Sequence, residues 1–218
     1  MTTLPAKFTK TDVVNRYRRI AQRYDFWGKV TESKARDRCL ELAAIQDGED
    51  VLEVAVGTGL AFNEILRRNW NGRVAGIDLT PEMLAQAKQK AAQTGHTNYT
   101  LDIGDAYHLN FADAAFDVLV NNYMFDLLPE ADFPLILTEF YRVLRPGGRL
   151  VLVNMAKAAH WYQALWETLY RIQPHWLGGC RGVSLATSLL AANFQIEQHG
   201  FISQMTFPSE VILASKAA

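Results

Sequence analysis

A short apolar run that ends in an acid and a glycine turn contains the residue types best suited to chemistry. Glu53 lies near the end of the run, and Gly57, Thr58 and Gly59 follow it. Glycine has no Cβ, so its backbone can approach a ligand closely, and an adjacent acid favours a ligand with a positive charge. A second acid, Asp78, ends another apolar run 25 residues later, where an acid suits the two hydroxyls of a ribose. This spacing predicts a nucleoside-binding strand–helix–strand unit.

The turn lacks the marks of a phosphate-binding loop. A dinucleotide fingerprint reads G-x-G-x-x-G, whereas here Ala55 precedes the glycines and Ala61 and Phe62 follow them. The glycines are not followed by a Lys-Ser or Lys-Thr pair, so the sequence also excludes a P-loop. S-adenosylmethionine (SAM) has an adenosine with a free ribose, an ammonium and a sulfonium, and it has no phosphate. The sequence therefore predicts SAM as the cofactor.

Four ordered segments resemble the class I SAM-dependent methyltransferases, near the ubiquinone/menaquinone C-methyltransferases and the bacterial phosphatidylethanolamine N-methyltransferases. They are Glu53 to Gly59, Gly76-Ile77-Asp78, Gly104-Asp105-Ala106 and Phe140 to Gly148. The resemblance runs from about Tyr17 to Asn154 and weakens beyond Lys157. We expect the choice of substrate to lie in that last part.

The resemblance implies a role for each residue around the cofactor. Glu53 faces the methionine end and accepts a hydrogen bond from its ammonium, and the turn from Gly57 through Thr58 to Gly59 passes close beneath it. Asp78 accepts from both ribose hydroxyls, and Leu79 packs against the adenine. Asp105 and Ala106 match the segment that binds the adenine edge. Asn121 and Asn122 follow a strand at the sheet edge where open α/β sheets bind ligands. Asp78 and Asp105 have an alternative role as caps of helices or turns.

Alternating apolar and helical patterns predict an α/β fold, a parallel sheet with helices on both faces. The predicted strands are 51–54, 74–77, 99–103, 118–121, 150–153, 194–206 and 210–215. The predicted helices are 12–22, 32–45, 60–68, 80–93, 135–144, 160–172 and 184–192, with Thr80 as a cap. The resemblance implies a Rossmann-like, doubly wound, mostly parallel seven-stranded sheet with a C-terminal antiparallel strand. We divide this single domain into an N-terminal helical lid (1–46), a cofactor-binding core (47–155) and acceptor-binding helices with closing strands (156–218).

The composition fits an ordinary globular enzyme. The 218 residues are 49% hydrophobic and 21% charged, with a net charge of −1, which offers no electrostatic reason to expect nucleic acid as a partner. Cys39 and Cys180 are too few for a disulfide framework and lack metal-ligand spacing, which suits a reducing cytosol. No apolar run approaches the ~20 residues of a membrane span. We expect a cytoplasmic protein that makes at most peripheral membrane contact, and the sequence leaves its oligomeric state open.

Candidate catalytic residues follow from the position of the transferred methyl group. Tyr123 and Asp126 come directly after the fourth predicted strand, next to the place where that group should point. Tyr24 belongs to a Tyr-Asp pair that resembles one in the quinone methyltransferases, where the segment closes over the cofactor. Methyl transfer depends mainly on positioning, because the sulfonium is already a good leaving group. A general base matters only where the acceptor must lose a proton.

The C-terminal third suggests how an acceptor is bound. His160 and Trp161 open an aromatic helix that has two alternatives, the wall of an acceptor pocket or a helix packed on the sheet. Arg181 lies in a glycine-rich loop, where it either clamps a phosphate or carboxylate or is an exposed residue of a tight turn. We expect a SAM-dependent methyltransferase that acts on a small or lipid-like acceptor, a quinone-type ring or an amine headgroup. The alternatives are a SAM-binding or sensing protein without turnover, an S- or O-methyltransferase of thiols or other small molecules, and a nucleotide-dependent oxidoreductase.

Overall fold

The computed structural model describes residues 4–157, 164–173 and 179–217, and for residues 20–24, 27 and 164 it describes the backbone alone. Seven strands form one sheet. They are β1 (Val51–Val54), β2 (Val74–Asp78), β3 (Tyr99–Ile103), β4 (Phe116–Asn122), β5 (Leu144–Met155), β6 (Phe194–Gln204) and β7 (Phe207–Lys216). Their order is β3-β2-β1-β4-β5-β7-β6. The first five strands are parallel and β7 is antiparallel to both of its neighbours, which confirms the predicted fold class.

Helices cover both faces of this sheet. They are α1 (Lys10–Thr31), α2 (Ser33–Ala43), α3 (Leu60–Arg68), α4 (Pro81–Ala92), α5 (Phe133–Val143), α6 (Ala164–Ile172) and α7 (Ala186–Ala191), with 3₁₀ turns at Phe125–Leu127 and Glu130–Asp132. Leu40 of α2 and Phe62 of α3 pack on one face of the sheet, and Phe140 of α5 and Leu189 of α7 pack on the other. All four residues of β1 are buried, because helices cover this central strand on both sides.

The predicted bounds of α1 were wrong at both ends. The helix begins earlier, because the side chain of Thr9 accepts a hydrogen bond from the amide of Asp12 while Asp12 accepts from the amide of Thr9. It also continues beyond residue 22 through Gly28, which packs against α3. A Cβ added at Gly28 would lie 3.6 Å from the side chain of Leu60. Tertiary packing therefore extends this helix past the point where local signals end it.

Two other local predictions differ from the structure. Thr80 precedes α4, but its side chain makes no capping hydrogen bond, and its amide donates to Asp78. Strand β5 begins at Leu144 and not at 150, so it includes the Pro-Gly-Gly segment, where Gly147 has a φ of +74°. Among the described residues, no helix is both long enough and apolar enough to cross a membrane.

The register of the sheet places the candidate residues at one edge. Val54 of β1 lies beside Ile77 of β2 and beside Asn121 of β4. The residues that follow these three positions therefore leave the sheet together, at its carboxyl edge. Because β1 lies between β2 and β4, the chain order reverses across it, and this is where open α/β sheets bind ligands.

Candidate active site

A cavity of about 270 Å³ opens at the carboxyl edge of β1, β2 and β4. A smaller hollow of about 60 Å³ adjoins it, and the two share Ala55, Gly57, Asn122 and Tyr123. Seven predicted site residues line the larger cavity, namely Gly57, Asp78, Leu79, Asp105, Ala106, Asn122 and Tyr123. Glu53 and Thr58 line the smaller hollow. The fold therefore brings together nine residues from the segments that the sequence singled out.

Hydrogen bonds to the Asp78 side chain connect the glycine turn to the end of β2. Its carboxyl accepts hydrogen bonds from the amides of Gly57 and Thr80, each at 2.8 Å. The side chain is buried, and burial raises the pKa of Asp78 although these backbone hydrogen bonds act in the opposite direction. Asp78 lines the cavity and each of its oxygens can accept a further hydrogen bond, so the carboxyl is held in place before a ligand arrives.

Glu53 and Asn122 present unpartnered polar atoms at the smaller hollow. Within the described part of the chain, Oε2 of Glu53 and both polar side-chain atoms of Asn122 are buried and lack a hydrogen-bond partner. Burial raises the pKa of Glu53 well above its usual range, the negative charge of Asp78 adds to this, and Arg36 opposes it. A cationic ligand beside Glu53 would lower the pKa of this carboxyl again. The predicted ammonium of SAM is such a cation and would give Oε2 a hydrogen-bond donor.

The two glycines of the turn have different neighbours. A Cβ added at Gly57 would have no atom within 4 Å, whereas one at Gly59 would lie 2.9 Å from Cα of Ala87. Gly57 lines both cavities, and Gly59 is outside both lining sets. Both have a positive φ, of +57° and +84°. Gly57 therefore leaves room for a ligand, while Gly59 lets α3 pack against α4, which differs from its predicted place beneath the cofactor.

Asn121 also differs from its predicted role. It is fully buried, and its amide donates to the carbonyl of Val54 at 2.8 Å. Since Asn121 lines neither cavity, its contact ties β4 to β1 at the edge where the site begins. Its neighbour Asn122 lines both, because successive residues of a strand point to opposite faces.

Asp105 lines the larger cavity and is held in an ion pair. Lys10, at the start of α1, forms an ion pair with the Asp105 carboxylate, and its ammonium lies 4.6 Å from the ring centre of Tyr107. The hydroxyl of Tyr107 donates to Asp132 at 2.6 Å. The sequence analysis missed Lys10 and Tyr107 as cavity residues, and Lys10 precedes the helix that the sequence predicted.

Helix α1 lies over the site. Val13 and Tyr17 line the larger cavity from its apolar face. Further along, Asp25 accepts hydrogen bonds from the hydroxyl of Thr58 and the ammonium of Lys90, which links α1 to the glycine turn and to α4. The sequence assigned the Tyr-Asp pair to closure over the cofactor, and the Asp member makes these contacts. The side chain of Tyr24 lies outside the described residues.

Tyr123 occupies the wall between the two cavities. Its φ is +53°, and its hydroxyl lies 2.7 Å from the hydroxyl of Ser209 on β7. Burial raises the pKa of Tyr123 well above its usual range, and the charge of Glu32 raises it further. The phenol therefore stays protonated near neutral pH, so Tyr123 serves as a hydrogen-bonding group and an aromatic face and is poorly suited as a base.

Asp126 lies behind the cavity wall. It is fully buried and outside both lining sets, and its Oδ2 accepts from the amide of Met155 at 3.0 Å. Burial raises its pKa to about 7, against the opposing effects of the Met155 hydrogen bond and of Arg181. The described residues thus do not bring Tyr123 and Asp126 to one surface as the predicted acid/base pair, because the 3₁₀ turn after β4 points Asp126 inward.

Arg181 is neither the clamp nor the exposed turn residue that the sequence predicted. It is 1% exposed, and its guanidinium donates to the carbonyls of Leu4, Asp126 and Leu128. Burial lowers its pKa. Its donors therefore join the N-terminal segment to the 3₁₀ segment that walls the cavity. Cys180, beside it, is also buried, and burial raises its thiol pKa well above the usual range, which argues against thiol chemistry.

The aromatic helix α6 packs on the sheet in its described part. Trp166 meets the ring of Phe207 edge-on, with 5.3 Å between ring centres, and its indole donates to the carbonyl of Thr206. Tyr170 is buried, and its hydroxyl donates to the carbonyl of Pro5 at 2.9 Å. Predicted acceptor residues His160 and Trp161 lie outside the described residues, so their roles stay predictions.

Comparisons with known proteins agree with this geometry. A family model described as a methyltransferase domain matches residues 51–148. A phosphatidylethanolamine N-methyltransferase of Cereibacter sphaeroides is 40% identical over 146 residues, which cover 66% of this chain and 68% of that protein. A demethylmenaquinone methyltransferase of Thermus thermophilus is 37% identical over 139 residues, 62% of each protein. An arsenite methyltransferase of Halobacterium salinarum is 32% identical over 164 residues, 73% of this chain and 39% of that longer protein.

The fold also occurs among solved structures. A geranyl diphosphate C-methyltransferase of Streptomyces coelicolor, crystallised with S-adenosyl-L-homocysteine, matches with a TM-score of 0.67 at 13% identity. The match covers 85% of this chain and 79% of that one. At this identity the likeness concerns the fold, and it agrees with the sheet order and the helices on both faces.

Proposed function

The chain belongs to the SAM-dependent methyltransferases, and on this premise we propose that it transfers a methyl group from SAM to a small or lipid-like acceptor. The acceptor classes that its relatives suggest are an amine headgroup and a quinone ring, as in the phosphatidylethanolamine and demethylmenaquinone enzymes. The relatives also include an arsenite methyltransferase. Their shared chemistry is methyl transfer, and the acceptor differs from one to the next.

The observation that carries the proposal is the pair of buried carboxyls on either side of Gly57. Asp78 would hold the ribose hydroxyls, and Glu53, whose Oε2 is unpartnered among the described residues, would hold the ammonium. Leu79 and Ala106 line the part of the larger cavity where an adenine would pack. Arg36 lines the smaller hollow and would hold the carboxylate of the methionine part.

SAM supplies an electrophilic methyl group on a sulfonium that is a good leaving group. The chain contributes position and exclusion of water. Glu53, Gly57 and Asp78 fix one reactant along the edge of the sheet, and α1 covers it. Holding two reactants in line is worth ~7–11 kcal/mol of the barrier. Tyr123 borders the place where the methyl group would leave the cofactor, and its protonated hydroxyl orients the acceptor by hydrogen bonding.

The test of the cofactor is a thermal-shift titration with SAM, S-adenosylhomocysteine, NAD and ATP, since a ligand that binds the folded state raises its melting temperature. We expect stabilisation by the two S-adenosyl ligands alone. Asp78→Ala should abolish that stabilisation. Asp102→Ala on β3 is the matched control, because Asp102 is exposed and outside both cavities. Stabilisation by NAD alone, or an Asp78→Ala variant with unchanged SAM affinity, would overturn the assignment.

Turnover separates an enzyme from a protein that only binds SAM. Release of S-adenosylhomocysteine in the presence of a lipid, quinone, amine or thiol acceptor is the direct measurement. A chain that binds SAM tightly and releases no product with any of these acceptor classes would be a SAM-binding protein without turnover.

A further inference from the structure

The larger cavity is lined by a cation that the cofactor assignment leaves unused. Lys10, the first residue of α1, lines this cavity together with Asp105, Ala106 and Tyr107. Its ammonium pairs with Oδ2 of Asp105 and lies 4.6 Å from the ring centre of Tyr107. In the proposed function the adenine packs beside Ala106, and the family resemblance implies that Asp105 binds the edge of this base. Lys10 therefore lies next to the expected position of the adenine.

Local hydrogen bonds position both members of this ion pair. Lys10 follows Thr9, whose hydroxyl accepts from the amide of Asp12 while Asp12 accepts from the amide of Thr9, so the first turn of α1 is capped. On the other side, Oδ1 of Asp105 accepts from the amide of Tyr107 at 3.2 Å. The ammonium and the carboxylate thus reach the cavity side by side, from α1 and from the segment after β3.

Both groups retain hydrogen-bonding capacity for a ligand. A Lys ammonium has three donors, and in the described part of the chain Asp105 is the hydrogen-bond acceptor of Lys10. Each carboxylate oxygen of Asp105 can accept more than one hydrogen bond. The edge of an adenine needs such a pair, because its exocyclic amine donates a hydrogen bond and a neighbouring ring nitrogen accepts one. In guanine an oxygen replaces that amine and would face Asp105 with a second acceptor.

In a competing arrangement, the adenine displaces Lys10 from Asp105. Displacement would separate the ion pair, remove the ammonium from the ring of Tyr107 and leave the ring nitrogen without a charged donor. Retention of Lys10 keeps both contacts and adds a charge-assisted hydrogen bond, which is stronger than a neutral one. The contacts of Lys10 therefore favour its retention beside the bound base.

We propose that Lys10 binds the adenine of SAM by donating to N1 or N7, the ring nitrogens that flank the exocyclic amine, while Asp105 accepts from that amine. Lys10 and Asp105 together then determine specificity for adenine. The inference rests on the proposed function, because it requires SAM in the larger cavity. It extends the cofactor site from the edge of the sheet to the first turn of α1.

The experiment measures binding by calorimetry in wild type, Lys10→Met and Lys88→Met. Met keeps the unbranched stem and removes the ammonium, and Lys88 is an exposed lysine of α4 outside both cavities, which makes it the matched control. Each protein is titrated with S-adenosylhomocysteine and with its 1-deaza, 7-deaza and 3-deaza analogues. Each analogue has a carbon in place of one ring nitrogen. The 3-deaza compound is the control ligand, since N3 lies on the other edge of the base.

We expect Lys10→Met to bind S-adenosylhomocysteine about tenfold more weakly than wild type, because a charge-assisted hydrogen bond is lost. The 3-deaza analogue should lose affinity by the same factor, since it keeps both N1 and N7. Either the 1-deaza or the 7-deaza analogue should bind Lys10→Met as it binds wild type, because it lacks the nitrogen that Lys10 contacts. Lys88→Met should match wild type with every compound.

Different results refute different statements. If wild type binds none of these compounds, the proposed function fails and this inference fails with it. If wild type binds them, an equal loss for every compound in Lys10→Met would mean that Lys10 only holds α1 in place. Tighter binding by Lys10→Met would mean that Lys10 competes with the base, and unchanged binding would mean that it makes no contact. These three results overturn the inference and leave the proposed function standing. If Lys10→Met does not fold, Lys10→Ala replaces it in the same comparison.

Discussion

We expect Arg181 to stabilise the fold by joining the N-terminal segment to the wall of the cavity. Its guanidinium donates to the carbonyls of Leu4 at 2.6 Å and Asp126 at 2.8 Å, and also to that of Leu128. Leu128 itself lines the larger cavity. The informative perturbation is Arg181→Met, which keeps an unbranched apolar stem and removes every side-chain donor, while the backbone amide still donates to the carbonyl of Asp126.

The expected loss follows from the carbonyls that lose their partner. The carbonyl of Asp126 keeps the backbone amide of residue 181 at 3.2 Å, so the variant removes the partner of the Leu4 and Leu128 carbonyls. An acceptor left without its partner costs ~1–3 kcal/mol, so two cost ~2–6 kcal/mol. The variant also avoids the burial of a guanidinium, and this desolvation costs several kcal/mol in wild type. The net expected loss is about 2 kcal/mol, which for a chain of this size corresponds to a drop in Tm of about 4–8 °C, at ~2–4 °C per kcal/mol.

The assay is urea unfolding followed by circular dichroism, with Arg171→Met as control because Arg171 is exposed on α6. Arg181→Met should unfold at lower urea than wild type, and Arg171→Met should match wild type within about 0.5 kcal/mol. A loss below about 1 kcal/mol, with weaker binding of an anionic acceptor, would refute the reasoning. It would mean that the guanidinium is available to a ligand, as the clamp hypothesis held.

Two further predictions concern the pH dependence of stability and the glycine turn. Burial raises the pKa of Asp126 to about 7, so the folded state keeps a proton that the unfolded state releases between about pH 4 and 7, and stability falls as pH rises through that window. Asp126→Asn should remove this loss. In urea unfolding, the stability of the variant relative to wild type should rise by up to ~1.4 kcal/mol per pH unit from pH 5 to 7 and level off by pH 8. Parallel pH profiles of the two proteins would contradict this prediction. Gly57→Ala should fold with a loss of ~1–2 kcal/mol from its positive φ and bind SAM at least tenfold more weakly in calorimetry, since its Cβ would enter the cavity. Gly59→Ala should lose more stability, because its Cβ would meet Ala87 at 2.9 Å, and equal melting temperatures of the two variants would argue against this division of roles.

Local signals in the sequence were sufficient for the sheet and for most of the cofactor site. Strand β1 and helix α3 have the bounds that alternation and the glycine turn predicted, because strand length, apolar burial and turn chemistry are local properties. Glu53, Gly57, Asp78 and Asp105 are all at the carboxyl edge of the sheet, as their order in the chain implied. Parallel strands joined by helices must bring their carboxyl ends together, so order along the chain predicts proximity in space.

What the tertiary structure decided is the use of each polar side chain. Arg181, Asp126 and Asn121 follow glycines or strands in the sequence, as ligand-binding residues often do, yet each is buried and bonded to backbone. Whether a side chain faces a cavity or the interior depends on packing among elements that are distant in sequence. Glu32 is the opposite case. A polar residue between two helices is expected to be exposed to solvent, but in the fold Glu32 lines the smaller hollow together with Tyr123.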